Sequence, residues 1–234
     1  ALIYVPDGHE QYPAILICHG FLSGKEEFGE LPENIAKKGY VVMTFDFTGH
    51  GKSKGDRGYF RAISHIDDAE RALKALLENV KVDQNRVAII GHSMGTIATN
   101  RLVTESEIGR KSKTCILLSP PRRFADSIGK AELKAYEIVS KVAWPILLFT
   151  GKHIYLPYKF SSKDIYLSKD AMAKADSLNF LQKSMSVNNY YYMIKQVDNE
   201  KFASKVTIPT LVMVSKGDKL VPNSTSRDVY NDIK

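Results

Sequence analysis

The stretch RVAIIGHSMGT, residues 86–96, carries most of the information about the fold. Arg86–Ile90 is an apolar run that predicts a buried β-strand, and Met94–Glu105 has apolar residues at helical spacing. The pattern Gly91-x-Ser93-x-Gly95 between them predicts a tight strand-to-helix turn that lifts a serine hydroxyl out of a sheet. The glycines are expected where a β-carbon would collide with neighbouring backbone.

Short apolar runs alternate with helical patterns on both sides of this stretch. Continuous rather than alternating apolar runs indicate strands buried on both faces, as in a parallel sheet between helices. The pattern predicts a doubly wound, mostly parallel α/β fold. The predicted strands are Leu2–Val5, Ala14–Cys18, Tyr40–Phe45, Arg86–Ile90, Thr114–Leu118 and Thr210–Val214, and the predicted helices are Leu31–Lys38, Ile63–Val80 and Met94–Glu105.

The alternation stops after Leu118 and resumes near Ile208. The intervening sequence is amphipathic and rich in Lys and Tyr, and Ile146–Thr150 is its one candidate for a buried strand. An insertion of this length between two sheet strands is too long for an ordinary connection and predicts a mainly helical subdomain. We therefore expect a first core segment at 1–120, an inserted cap at 121–205 and a second, incomplete core segment at 206–234.

Composition places the chain among ordinary globular proteins. Its 234 residues are 44% hydrophobic and 25% charged, which argues against disorder and collagen-like structure. No apolar stretch approaches the roughly 20 residues that a membrane span needs. Cys18 and Cys115 each stand inside an apolar run, where cysteine behaves as a small buried hydrophobe. Without a disulfide framework or a recognisable signal peptide, we expect a reducing, cytoplasmic location.

The net charge of +7 arises entirely in the second half of the chain. The aromatic residues are also concentrated there, and 13 of the 23 lie between Phe124 and Phe202. A basic surface of this kind keeps a protein soluble. It also suits peripheral contact of the basic cap with an anionic or lipid interface. The lysines are scattered singly and no nucleic-acid-binding signature is present, so we expect no nucleic-acid partner.

With these motifs the chain resembles the α/β-hydrolase family. His19-Gly20-Phe21 follows the strand Ala14–Cys18, as the HG motif does in esterases and lipases of this fold. The resemblance implies that the backbone N–H groups of Phe21 and Met94 form an oxyanion hole and that Ser93 is the nucleophile. It implies a structural role for His19 in its loop, and likewise for Asp46 and His50 in the stretch FDFTGHGKS, residues 45–53.

The resemblance also implies an acid and a base for Ser93, in the chain order Ser, Asp or Glu, His. Asp218 stands in a Gly-Asp turn after the strand Thr210–Val214 and is the expected acid. The sequence contains no histidine in the position expected for the base, because all six histidines precede Asp218. Three explanations are open: the chain is a fragment that lacks its final strand, helix and base; the base has been lost and the protein is silent; or an existing histidine serves in an unusual arrangement.

The implied activity is hydrolysis of small carboxylic esters through a Ser-acyl intermediate, and no metal or organic cofactor is implied. Monoacylglycerol lipases, lysophospholipases and cinnamoyl or feruloyl esterases share the HGF and GHSxG elements most closely. A peptidase of the same fold and a catalytically silent ligand-binding protein are the alternatives, and the oligomeric state is open. The candidates to line a substrate pocket are His19, Trp144, Phe149, Phe160, Tyr190, Tyr191, Tyr192 and Met193.

Overall fold

The computed structural model describes residues 1–8, 10–59, 62–123, 130–157, 163, 168–178, 184–189 and 199–233. Strands and helices alternate along the first half of the chain, as the sequence pattern predicts. The strands are β1 (Leu2–Tyr4), β2 (Tyr12–Cys18), β3 (Val41–Thr44), β4 (Val82–His92), β5 (Thr114–Leu118), β6 (Tyr155–Pro157), β7 (Ser184–Ser186) and β8 (Thr210–Met213). The helices are α1 (Leu31–Ala36), α2 (Ala62–Leu77), α3 (Gly95–Glu105), α4 (Lys130–Thr150), α5 (Lys169–Leu178), α6 (Asn199–Ala203) and α7 (Asn223–Asp232).

Six strands form one sheet in the order β1-β3-β2-β4-β5-β8. The edge strand β1 runs antiparallel to β3, and the other neighbouring pairs are parallel. Parallel neighbours need crossover connections, and the intervening helices supply them on the two faces of the sheet. This topology confirms the predicted doubly wound, mostly parallel α/β fold.

Both faces of the central strands are buried, which is why their sequences are continuously apolar rather than alternating. On one face Leu16 and Ile89 pack in a core that includes Leu73 of α2 and Leu102 of α3. On the other face the alternate strand residues Ile15, Ile17, Val42 and Ile90 pack around Ala36 of α1. The sheet is therefore covered by helices on both sides, and its strand ends are left to carry loops.

Two predicted elements differ from the structure in type or by more than three residues at one end. Ile146–Thr150 is not a strand but the last turn and a half of helix α4, because a five-residue apolar run does not distinguish a strand from a buried helix segment. Strand β4 begins at Val82 rather than Arg86, although Asp83, Gln84 and Asn85 interrupt its apolar pattern. Val82 nevertheless pairs with Tyr12 across a register shift, so the strand extends past its polar residues.

The chain between β5 and β8 contains α4, α5, α6 and a two-stranded antiparallel sheet formed by β6 and β7. Helix α4 buries Ala143 and Ser140 on one face, whereas Val142 and Phe149 on the other are 66% and 89% exposed. In the part of the chain that the structure describes, no helix combines the length and apolar character that crossing a bilayer requires.

Candidate functional site

Ser93 lies in the turn between the end of β4 and the start of α3, which we call the Ser93 turn (residues 91–95). Its φ is +49°, in the left-handed region that residues with a β-carbon seldom adopt. The Ser93 N–H donates to the carbonyl of Leu118 on the neighbouring strand at 2.8 Å. Its own carbonyl accepts the hydroxyl of Thr96 at 2.6 Å. The surrounding structure thus holds a strained serine in place, as residues at functional sites are often held.

The two glycines of the Ser93 turn are required by their surroundings. A β-carbon on Gly91 would lie 2.5 Å from the hydroxyl oxygen of Thr99 and 2.7 Å from the carbonyl oxygen of Gly95. A β-carbon on Gly95 would overlap the carbonyl oxygens of Cys18 and His19. These contacts are mostly with backbone atoms, which have little room to move. Gly91 is therefore required by close packing against the first turn of α3, and Gly95 by close packing against the end of β2.

The loop His19-Gly20-Phe21, called the HGF loop here, lies directly beside the Ser93 turn. A β-carbon built on Gly20 would be 3.5 Å from the β-carbon of Ser93 and 3.2 Å from Nδ1 of His92. Strand β2 thus delivers the HGF loop, and the adjacent β4 delivers the serine, to the same edge of the sheet. The structure brings together the two segments that the sequence singled out.

His19 is fully buried, and both ring nitrogens are engaged. Its Nε2 accepts the N–H of Phe47 at 3.1 Å, so the ring proton lies on Nδ1, which donates to the carbonyl of Gly20 at 2.7 Å. Burial lowers the pKa of His19 and keeps the ring neutral. The placement of His19 among the pocket-lining residues is wrong, because its side chain has no exposed surface with which to meet a substrate.

Glu27 is a residue that the sequence analysis missed. One of its carboxylate oxygens accepts the N–H of Gly20 at 2.7 Å, and the other lies 2.5 Å from Nδ1 of His92. Burial opposes ionisation of both partners, but their mutual attraction prevails: the pKa of Glu27 is lowered and that of His92 is raised. Both shifts favour the charged forms of a pair whose side chains are 10% exposed at Glu27 and 33% exposed at His92.

No local signal in the sequence identifies Glu27. It belongs to the run Lys25-Glu26-Glu27, which resembles a solvated charged segment, and its partner is 65 residues away. The same run contains a second buried ion pair. Nζ of Lys25 lies 2.5 Å from one carboxylate oxygen of Asp46, and that oxygen also accepts the N–H of Lys52. The other carboxylate oxygen accepts the N–H of Lys25. These bonds give Asp46 the structural role expected of it.

Asp218 follows β8, two strands away from the serine. The register aligns His92 with Leu118 and Leu118 with Met213, so the chain leaves β4 and β8 at the same edge of the sheet. One carboxylate oxygen of Asp218 accepts the N–H groups of Leu220 and Val221 at 3.0 and 2.9 Å. The negative charge of Asp218 also contributes to the raised pKa of His92, which puts it within electrostatic range of the Ser93 turn.

The histidines that the structure describes are engaged elsewhere. His65 is buried and stacks on Phe47, and His50 is buried with its ring edge-on to that of His65. The ring nitrogens of His153 lie 2.8 Å from the hydroxyl of Ser186 and 3.2 Å from a carboxylate oxygen of Asp56. Among the described residues, none of these rings hydrogen-bonds the Ser93 hydroxyl. His9 lies outside the described residues.

The pocket-lining residues predicted on the insertion have mixed outcomes. Trp144 is partly buried on α4, next to the buried Ala143. Phe149 does not line an enclosed pocket, because 89% of it is exposed. The remaining candidates, Phe160, Tyr190, Tyr191, Tyr192 and Met193, lie outside the described residues.

Comparison with curated proteins finds hydrolases among the relatives. Esterase EstD of Thermotoga maritima is 21% identical over 226 residues, which are 92% of this chain and 49% of the esterase. Cutinase 2 of Thermobifida cellulosilytica is 33% identical over 107 residues, which are 44% of this chain and 38% of the cutinase. The chain thus spans about half the length of the esterase, and its match spans a smaller share of the cutinase.

Solved structures support the fold. An α/β hydrolase, GrgF, from Penicillium sp. sh18 superposes with a TM-score of 0.80 and 18% identity, over 99% of this chain and 80% of its own. A monoacylglycerol lipase of Paleococcus ferrophilus superposes with a TM-score of 0.75 and 19% identity, over 100% of this chain and 83% of its own. The sequence profile of a family described as "Serine aminopeptidase, S33" matches residues 9–234. The chain therefore belongs to the serine aminopeptidase S33 family of α/β hydrolases.

Proposed function

We propose that the protein hydrolyses carboxylic esters, with Ser93 as the nucleophile. The observation that carries the proposal is the left-handed serine between two obligatory glycines, with the HGF loop packed against its β-carbon. Acyl transfer requires an accessible hydroxyl beside main-chain donors, and the partly exposed Ser93 next to the HGF loop supports the proposal. Esterase and cutinase relatives favour an ester substrate.

In the proposed reaction the Ser93 oxygen attacks the ester carbonyl and the alcohol leaves from the tetrahedral intermediate. The N–H groups of Phe21 and Met94 stabilise the negative oxygen that develops. Met94 immediately precedes the first residue of α3, and N–H groups at a helix start have no partner within the helix. In measured cases one such donor is worth about 3–4 kcal/mol of the barrier. Water then releases the acyl group from Ser93.

Ser93 needs a base to accept its proton, and we propose that a histidine beyond Lys234 has this role and that Asp218 orients it. The carboxylate oxygen of Asp218 that does not bind Leu220 and Val221 is the one available to an imidazole N–H. We expect this histidine within about 15 residues of Lys234, after a short strand, in keeping with the family's chain order.

The test uses the full-length gene product with a fluorophosphonate probe and with p-nitrophenyl butyrate. We expect labelling and turnover in the unmodified protein and neither in Ser93→Ala. The matched control is Ser204→Ala, which removes the hydroxyl of an exposed serine and should change neither readout. A folded full-length protein that shows no labelling and no turnover would contradict the proposal and favour a ligand-binding protein.

Peptide hydrolysis is the second candidate, and the description of the family as serine aminopeptidases favours it. Ser93 would then attack the carbonyl carbon of an amide bond in a substrate that carries a free amino group. Aminoacyl p-nitroanilides measured beside p-nitrophenyl esters separate the two candidates. A kcat/KM for the anilide that exceeds that for the ester would replace the esterase proposal with the peptidase one.

A further inference from the structure

The peptide groups on both sides of Gly20 are fixed by buried hydrogen bonds. The Gly20 N–H donates to Glu27 at 2.7 Å, and the Gly20 carbonyl accepts the Nδ1 proton of His19 at 2.7 Å. That carbonyl belongs to the same peptide group as the N–H of Phe21. In a planar trans peptide the carbonyl and the N–H point in opposite directions. The bond to His19 therefore also sets the direction of the Phe21 N–H.

Glu27 connects the HGF loop to the Ser93 turn. The carboxylate that accepts the Gly20 N–H also binds Nδ1 of His92, the residue directly before Ser93. Two main-chain segments, at the ends of the adjacent strands β2 and β4, are thus joined by one side chain. Because the short contact between Glu27 and His92 is mostly shielded from water, with Glu27 only 10% exposed, it is costly to break.

We propose that Glu27 and His92 are positioning residues, which set the spacing between the Phe21 N–H, the Met94 N–H and the Ser93 hydroxyl. This inference rests on the proposed function and adds to it the pair that holds the oxyanion hole in register with the nucleophile. Neither side chain touches the reacting atoms. Their effect is exerted through Gly20 on one side and through the backbone of the Ser93 turn on the other.

The distance dependence of catalysis determines the expected effect. A displacement of about 1 Å in a preorganised site costs on the order of 100-fold in rate. Donors that act on the developing oxyanion stabilise the transition state more than the substrate, so their misplacement lowers kcat and leaves KM nearly unchanged. Loss of a merely structural ion pair would instead lower the melting temperature and leave kcat intact below it.

The experiment uses the full-length protein and measures kcat and KM for p-nitrophenyl butyrate. It also measures the affinity for butaneboronic acid, which forms a tetrahedral adduct with serine. Glu27→Ala should lower kcat by about 100-fold and weaken boronate binding by a similar factor, with KM within about threefold. Glu27→Gln keeps an oxygen for the Gly20 N–H, so its kcat should be about tenfold higher than that of Glu27→Ala. The matched control is Lys25→Met, which breaks a buried ion pair two residues away that touches neither Gly20 nor His92.

We expect Lys25→Met to lower the melting temperature with kcat unchanged. If Glu27→Ala and Glu27→Gln behave in the same way, the pair is structural and the inference is overturned. If Glu27→Ala does not fold, Glu27→Gln alone decides: a kcat within twofold of the unmodified protein contradicts a positioning role. An unmodified protein without labelling or turnover is a different result, which rejects the proposed function and this inference with it.

Discussion

The Ser93 turn and the turn that carries Asp218 lie at the same edge of the sheet but are held by different means. The Ser93 turn is packed so tightly that neither of its glycines can accept a β-carbon. The turn at Asp218 is partly exposed and is held mainly by the bonds that its own carboxylate accepts from Leu220 and Val221. One turn is defined by the surrounding fold, the other by its own sequence. The difference shows that a turn fixed by the surrounding fold and a locally folded turn can share one sheet edge.

The largest expected effect tests whether Asp218 does more than close its own turn. Asn in its place keeps the oxygen that accepts the two N–H groups but lacks the charge that orients an imidazole. In comparable triads this change lowers kcat by about 10⁴-fold. We expect a loss of that order for Asp218→Asn in the full-length protein, with the melting temperature nearly unchanged. Turnover assays and thermal unfolding measure both.

The control for Asp218→Asn is Asp228→Asn, which makes the same change at an exposed position on α7 and should leave turnover unaffected. If Asp218→Asn retains more than a tenth of the activity, Asp218 is only a turn residue. The acid would then have to be sought on another loop at this edge.

The next effect tests the packing of the Ser93 turn. Gly95→Ala would drive a β-carbon into the carbonyl oxygens of Cys18 and His19, at the end of the strand that leads into the HGF loop. Overpacking of this kind costs about 1–3 kcal/mol, and relief by backbone movement would displace the HGF loop as well. We therefore expect a lower free energy of unfolding, measured in urea, together with a loss of turnover.

Gly151→Ala is the matched substitution. Gly151 has a positive φ, of +65°, whereas Gly95 does not, and a β-carbon on Gly151 would meet no atom within 4 Å. Only the backbone strain of about 1 kcal/mol applies, and turnover should not change. Equal losses of stability and turnover in both variants would show that steric packing against β2 is not what Gly95 provides.

The sequence predicts those parts of the site that depend on local pattern. The apolar run before Ser93, the glycines beside it and the HG dipeptide after β2 are contiguous in sequence, and each predicts its own geometry. The pairing of Glu27 with His92 is different, because it joins residues 65 apart and depends on how two loops meet at the sheet edge. Local pattern also does not predict the end of helix α4, since Ile146–Thr150 is as compatible with a strand as with a helix.

A smaller effect concerns pH and the buried histidines beneath the HGF loop. Burial, together with the neighbouring His19, lowers the pKa of His50 to about 3, and burial lowers the pKa of His19 and His65 too. Unfolding restores a pKa of about 6.5. Stability from the neutral His50 ring is therefore fully present above about pH 6.5 and is lost as pH falls towards 3. Within that range His50 should contribute a slope of about 1.4 kcal/mol per pH unit.

His50→Phe keeps a ring beside His19 and His65 but removes the proton site. We expect the pH dependence of the free energy of unfolding between about pH 6 and 4 to become shallower by the contribution of one histidine. Above pH 7.5 the variant and the unmodified protein should show the same slope, which serves as the internal control. An unchanged slope in the acid range would mean that His50 is protonated in the folded protein.

The last prediction compares side chains in the strands that lead to the two turns. Ile89, just before the Ser93 turn, is fully buried, whereas Leu211 on β8 is 52% exposed. Ile89→Ala should cost about 2–5 kcal/mol, because it leaves a cavity in a packed core. Leu211→Ala in the 234-residue chain removes a half-exposed side chain and should cost less than about 1.5 kcal/mol. Urea unfolding of both variants measures the difference, and a cost at Leu211 as large as at Ile89 would mean that β8 is covered in solution.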